Sequence, residues 1–441
     1  MPTTNSGGPA ALSKLSVRVT ALCWILVLLD GIDYFVYSGV VPIMLEDKGF
    51  GFTPADIGTM GSLATFGMLI GALAAGTVTD MIGRRKVLIA GVTLFSLASA
   101  ATALAPTVEV FGATRFIAGL GLGGLLPTAI AMAMEFAPAR RKNLAVTITM
   151  TAHQAGGVIA GLLGITFAMD FGWRSVFWLG GLPLIVVLPV LVVMLPESPA
   201  FLLAKGRTEQ ARAMLAARGV GLEHFEEKRQ AKEAGGLRAL FARRVWRSTI
   251  LLWVTTFFGL MLVYGVSVWL PNLMRDNGYD LGASIAFLIV INAGGIVGML
   301  VAGTLADRFN ARAVAILWFL ITCLGLIVFS VQMPLALTYA VVFVTGGCLF
   351  SAQTLVYAAA GSYFPANARA TSIGWTAGVG RWGAVFGPVF GGWLAATGNL
   401  GLPFYGFAAA AALAALSLFA IRAKSRIEPE PEPVLAQANP S

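Results

Sequence analysis

Two aspartates, Asp30 and Asp33, interrupt the first long apolar run of the chain, in Leu28-Leu29-Asp30-Gly31-Ile32-Asp33. A carboxylate near the middle of a bilayer costs about 2.5–3.5 kcal/mol on insertion scales, so it is kept for a task. On a helix this spacing puts both side chains on one face. Two protonatable groups there suit proton coupling. Like charges so close titrate as a coupled pair, which can share a single exchangeable proton. A purely structural role is the alternative, but Ser, Thr or Asn would meet it at lower cost.

Two buried-depth cations match these acids. Arg115 stands in the fourth apolar segment, about a third of the way across, where a guanidinium needs a partner; Asp30 and Asp33 are the nearest by depth. Arg381 stands near the middle of the eleventh segment, and no acidic residue of the second half lies at a comparable depth. Its planar fork suits a carboxylate, so the missing anion is read as the substrate. Snorkelling to the surface, or a pair with Asp33 across the cavity, is the competing reading. Tyr264, Gln353, Tyr357 and Trp375 lie at similar depth, and Gln353 and Tyr357, four residues apart, share a helix face. His153 falls mid-helix in the fifth segment and suits either a structural or a proton-relay role.

The elements that carry these residues are membrane helices. The chain is 57% hydrophobic and only 12% charged, against about 25% charged for a soluble domain. We count twelve apolar stretches of spanning length. The first has no small-residue cleavage site and is read as a retained helix. The net charge of +9 is a topology signal, not a nucleic-acid one. Arg84, Arg85, Lys86, Arg140, Arg141, Lys142, Arg308, Arg312 and Arg369 fall in loops on one side, joined by the central loop and the tail. The opposite loops hold only Lys48, Arg174 and Arg275. The positive-inside rule therefore predicts both termini in the cytoplasm. Cys23, Cys323 and Cys348 lie scattered in apolar segments, with no disulfide or metal spacing. No phosphate loop, zinc pattern or nucleophile elbow occurs, so neither cofactor nor enzyme chemistry is expected.

The chain repeats itself. Gly67, Gly71, Gly76 and Asp80 align with Gly294, Gly298, Gly303 and Asp307 at one constant offset, as Val36-Tyr37 does with Val263-Tyr264. Two six-helix halves around a midplane cavity are a common carrier design. We expect a cytoplasmic segment 1–17, a first bundle 18–196, a central loop 197–245, a second bundle 246–423 and a disordered tail 424–441 with alternating Glu and Pro. Within the central loop, the stretch 207–218 has helical composition.

Gly76-Thr-Val-Thr-Asp80-Met-Ile-Gly83-Arg84-Arg85-Lys86 resembles the signature loop of the major facilitator superfamily, G-x-x-x-D-x-x-G-R-R. Its acid and arginines would form ion pairs at an inner gate that break when the halves rock. Arg115-Phe-Ile-Ala-Gly119-Leu-Gly121-Leu-Gly123-Gly124 resembles the superfamily's second signature. Glu135, at the inner end of the same helix, reads as a gate partner. The form Asp30-Gly-Ile-Asp33, with the Arg115 helix, Glu135-Phe-Ala-Pro-Ala-Arg140 and Arg381, is similar to the aromatic acid:proton symporter family.

That resemblance runs from about Asp30 to about Trp393. It implies an all-α major facilitator fold in a bacterial inner membrane, one chain per transporter, importing a benzoate- or hydroxybenzoate-like acid with protons. Its functional charges fall on Asp30, Asp33, Arg115, Glu135, Asp307, Arg369 and Arg381. The run Tyr34-Phe35-Val36-Tyr37 departs from the small apolar residues commoner there and leaves the particular substrate open. Other readings are a symporter for another organic acid or a sugar, favoured by Pro196-Glu197-Ser198-Pro199, or drug efflux. Efflux is disfavoured because helix five lacks the Gly-Pro antiporter run. A membrane chemoreceptor is disfavoured by the lack of a sizeable signalling domain.

Overall fold

The computed structural model describes residues 14–137, 141–216, 240, 241, 245–364 and 366–421. The expected tail, the start of the N-terminal segment and most of the central loop lie outside them, as do the side chains of Asp307 and Arg369.

Twelve long helical stretches follow in order: α1 Lys14–Glu46, α2 Pro54–Ile82, α3 Arg84–Ala103, α4 Val108–Phe136, α5 Leu144–Phe171, α6 Trp173–Met194, α7 Trp246–Asp276, α8 Leu281–Phe309, α9 Ala311–Phe329, α10 Leu335–Tyr363, α11 Ala366–Ala395 and α12 Leu402–Ala420. Eleven are long and apolar enough to cross a membrane. The exception is α11, which is long enough but rich in glycine and carries Arg381 at its middle. Its place is set by packing, not hydropathy, for it lies along α7 and α2.

The repeat is a packing repeat. A Cβ on Gly67 would strike the Phe116 carbonyl of α4, and one on Gly294 would strike the Phe343 carbonyl of α10, at the same offset. Both helices begin alike, with Thr53 accepting from the Asp56 N–H at the head of α2 and Asp280 from the Ala283 N–H at the head of α8. Small residues let helices approach where lipid supplies no hydrophobic drive between them.

Irregular backbone marks three helices. Helix α4 breaks at Gly124, α5 holds a π-turn at Gly164–Ala168, and α6 is interrupted by a 3-10 turn at Leu182–Leu184 containing Pro183. In the central loop a helix forms over Thr208–Ala216, within the stretch expected to be helical.

Contacts between the halves gather away from the arginine loops. The Ser62 hydroxyl donates to the Val385 carbonyl (2.6 Å) and accepts from the Val389 N–H (3.2 Å), stitching α2 to α11 beside Pro388. Arg275 at the end of α7 pairs with Glu46 at the end of α1 at 3.3 Å. Gly161 and Gly164 of α5 face Ile289 and Ile285 of α8. At the arginine-rich end, Gly76, Gly303, Gly374 and Gly378 instead face open space. The contacts named here between the halves therefore lie at the end opposite the arginine-rich loops.

Candidate functional site

The seam between the halves gathers polar groups from five helices. Gly31 lets α1 lie directly on α5, since a Cβ there would strike the His153 backbone. That approach brings His153 Nε2 to 3.8 Å from an Asp30 carboxylate oxygen, within ion-pair reach but long for a hydrogen bond. Asp30 itself is 4% exposed. The Tyr34 ring stacks over His153 (6.2 Å between centroids) and meets Tyr264 edge-on (4.9 Å), and its hydroxyl donates to the Tyr264 carbonyl at 3.0 Å. Arg381 lies within electrostatic range of Asp30, Tyr264 and Tyr357. Gln353 stands beside Tyr357 on α10. The sequence candidates Asp30, His153, Tyr264, Gln353, Tyr357 and Arg381 thus form one cluster spanning α1, α5, α7, α10 and α11.

Asp33 belongs to a second site. Arg115 Nη1 donates to its carboxylate at 2.9 Å, and the Ser99 hydroxyl donates to its other oxygen at 3.0 Å. The Arg115 guanidinium, 1% exposed, also sits over the Tyr37 and Phe177 rings at 5.7 and 5.5 Å. Asp33 borders an apolar pocket of about 380 Å³ whose other lining residues, including Leu29, Phe95 and Phe167, all come from the first half. The two carboxylates expected to act as a pair thus have different nearest partners, while Asp33 stays within electrostatic range of Asp30. Three residues along an α-helix leave a turn of about 60° between side chains. That is enough to aim Asp30 at α5 and α11, and Asp33 at α3 and α4.

A third group lies at the arginine-rich end. Arg84 pairs with Glu135, which also accepts from the Ser198 hydroxyl. Glu197 accepts from the backbone N–H groups of Arg84 (2.9 Å) and Arg85 (3.2 Å), capping the head of α3 with a carboxylate. The Arg85 guanidinium donates to the Val192 carbonyl of α6. In the second half, Arg312 donates to the Leu418 and Phe419 carbonyls at the end of α12 (3.1 and 2.7 Å). Asp80, expected in a gate ion pair, is exposed and forms none among the described residues.

Trp375 stands apart from the central cluster. It is 45% exposed and stacks on Trp253 (6.0 Å), on the same face of α11 as Trp382 and Phe386 and turned away from Arg381. Ser99, Glu197 and Ser198 were not singled out from the sequence as site residues. Pro196-Glu197-Ser198-Pro199 was the one available signal, a cluster of capping residues just past a membrane helix.

The site thus sets a buried acid beside a histidine, with an arginine in electrostatic range, between the two halves. Among the described residues no group of His, Cys, Asp and Glu could hold a metal ion. Comparisons with known proteins agree with transport. The benzoate transport protein of Acinetobacter baylyi is 32% identical over 97% of this chain and 94% of its own. The 4-hydroxybenzoate transporter PcaK of Pseudomonas aeruginosa is 34% identical (88% and 87% covered), and the gallate transporter of Pseudomonas putida 35% (87% and 86%). Among solved structures, the partially occluded inward-open xylose transporter XylE from E. coli superposes with a TM-score of 0.78 at 18% identity, covering 95% of this chain and all of that one. The family model for the Major Facilitator Superfamily matches residues 23–383 and 293–440. This chain belongs to the major facilitator superfamily and is a membrane transporter, not an enzyme.

Proposed function

We propose that this transporter imports an aromatic monocarboxylate, benzoate or a hydroxybenzoate, together with a proton across a bacterial inner membrane, one chain forming the transport unit. The observation that carries the reading is Arg381 at the seam, in electrostatic range of Asp30 and two tyrosines. The relatives named for benzoate, 4-hydroxybenzoate and gallate transport support the same class of cargo. The arginine-rich loops face the cytoplasm by the positive-inside rule.

The coupling follows from competition for one cation. Without cargo, Arg381 attracts the Asp30 carboxylate. A substrate carboxylate takes that place with a bidentate fit, and Asp30, now without its counter-charge in a low-dielectric seam, takes up a proton. His153 borders Asp30 and provides a route for that proton. Asp33 is bound by Arg115 and Ser99 and positions the helices of the first half. One proton then travels with one monoanion, and the step moves no net charge. A one-unit pH gradient would support about tenfold accumulation, or about 1.36 kcal/mol.

Proteoliposome uptake of radiolabelled benzoate and 4-hydroxybenzoate tests this. With the potential clamped, accumulation should follow the pH gradient and collapse with a protonophore. Strong accumulation driven by a valinomycin potential at equal pH would refute the electroneutral scheme. Failure to take up either acid, alongside uptake of a sugar or an aliphatic acid, would remove the substrate class.

A further inference from the structure

Gln353 is 5% exposed, and neither its amide oxygen nor its NH₂ has a well-formed hydrogen bond to the protein. Among the described residues it is the buried amide with neither atom in a well-formed bond, the Tyr357 phenol being its one close polar neighbour. Asn292, by contrast, donates from its NH₂ to the Leu288 carbonyl at 2.8 Å and leaves only its oxygen unmatched. An idle buried amide costs about 1–3 kcal/mol, so its presence in a helix interface asks for a partner.

The surroundings say what kind. The amide oxygen lies over Gly259 of α7, where any Cβ would displace it. The Tyr357 phenol lies beside the amide, and Tyr357 is also a neighbour of Arg381. A ligand whose carboxylate meets Arg381 can therefore turn its far edge to Gln353. The amide offers both a donor and an acceptor. A carboxylate only accepts, and a bare aromatic edge does neither. A phenolic hydroxyl does both.

We propose that Gln353, with Gly259 behind it and Tyr357 beside it, reads a hydroxyl on the ring of the transported acid, so that hydroxylated aromatic carboxylates bind ahead of the unsubstituted one. The inference rests on the reading above that the cargo is an aromatic monocarboxylate. An unsubstituted ring against the amide expels its water and returns no hydrogen bond.

Equilibrium binding to the purified full chain in nanodiscs provides the test, with benzoate, 3-hydroxybenzoate and 4-hydroxybenzoate as probes. Wild type should bind one of the hydroxy acids about ten- to a hundredfold more tightly than benzoate, the range spanned by matching one buried hydrogen-bonding group. Gln353→Met keeps the volume and removes both polar atoms, so the hydroxy acids should bind this variant no more tightly than benzoate does. Gly259→Ala keeps the amide but pushes it aside, and the helices can hold because the clash is with the end of a flexible side chain. It should also erase the preference, with an unchanged elution profile confirming the fold. Equal wild-type affinity for all three acids, or a preference that survives Gln353→Met, would overturn the assignment. If none of the three acids binds wild type, the aromatic-carboxylate reading falls, and this inference with it.

Discussion

In the first half Gly67 lies on the carbonyl of Phe116; in the second, at the same offset, Gly294 lies on the carbonyl of Phe343. The packing repeats, but the charges do not. Where the first half has Asp30, Asp33 and Arg115, the second has Phe257, Leu260 and Val342. Where the second has Arg381, the first has Gln154. Helix contacts depend on small residues at fixed places, and both halves need them to hold a bundle without hydrophobic drive. Buried charge is costly and is retained where it acts. The first half thus holds the Arg115–Asp33 pair and Asp30 beside His153, and the second half contributes Arg381, the cation that the proposed function assigns to the substrate. The pseudo-symmetry lies in the packing, and the asymmetry lies in the buried charges.

The inner loops show the same contrast. Gly83 and Asn310 occupy equivalent positions, and both have positive φ, 98° and 90°. Glycine reaches that region freely and asparagine tolerates it better than most residues. In the first half the turn is closed by Glu197 from beyond α6. In the second, the Asn310 side chain itself accepts from the Arg312 N–H at 3.0 Å. One loop is tied to a distant segment, whereas the other caps itself.

The largest effect that can break this comparison is expected at Asp30. Asp30→Asn keeps size and hydrogen bonding but cannot exchange a proton, so concentrative uptake should be lost while thermal stability holds. Accumulation against a gradient by this variant would move the proton site elsewhere. Arg115→Ala should instead damage the fold, by about 3–5 kcal/mol, because it strands the Asp33 carboxylate in the core of the first half. A thermal-unfolding series in detergent reads this, and the double variant Asp33→Asn/Arg115→Gln should recover most of the loss. No recovery would mean that Arg115 acts through its packing on Tyr37 and Phe177.

Arg381→Lys retains charge but loses the planar fork, and binding of a carboxylate should weaken by about tenfold, or about 1.4 kcal/mol. Its uncharged amide analogue should be little affected. Equal weakening of both ligands would remove the clamp. At the loops, Gly83→Asn should cost about 1 kcal/mol by pushing Glu197 off the head of α3, the usual scale for a lost helix cap. The reciprocal Asn310→Gly should stay within about 0.5 kcal/mol, since it loses a local cap and relieves a left-handed asparagine. If the two exchanges prove equal, Glu197 does not anchor the first loop.

Much of the architecture was legible before any coordinates. Long apolar runs in a chain with few charges can only be helices in a bilayer, where every backbone group must bond within its own segment. The repeated glycines and the signature loop gave away two related bundles. Arg381, Asp30, Gln353 and Tyr357 stood out because polar groups at mid-membrane depth are costly. Helix α11 shows that signal at its weakest, because glycine and Arg381 dilute its hydropathy, although it still reads as the eleventh apolar stretch and packs against α7 and α2.

What the residues could not reveal was partnership. Spacing put Asp30 and Asp33 on one face, and only the tertiary structure shows that about 60° of helix rotation sends them to different helices. Ser99 and Glu197 looked like any buried serine or any acid after a membrane helix. Their meaning lies in Asp33, far along the chain from Ser99, and in the unpaired N–H groups at the head of α3. Hydropathy and spacing are properties of one segment, so they determined the helices, the repeat and the depth of each charge. Which charge meets which depends on the rotation and contact of helices from distant parts of the chain, and that was decided only when small residues let those helices close on one another.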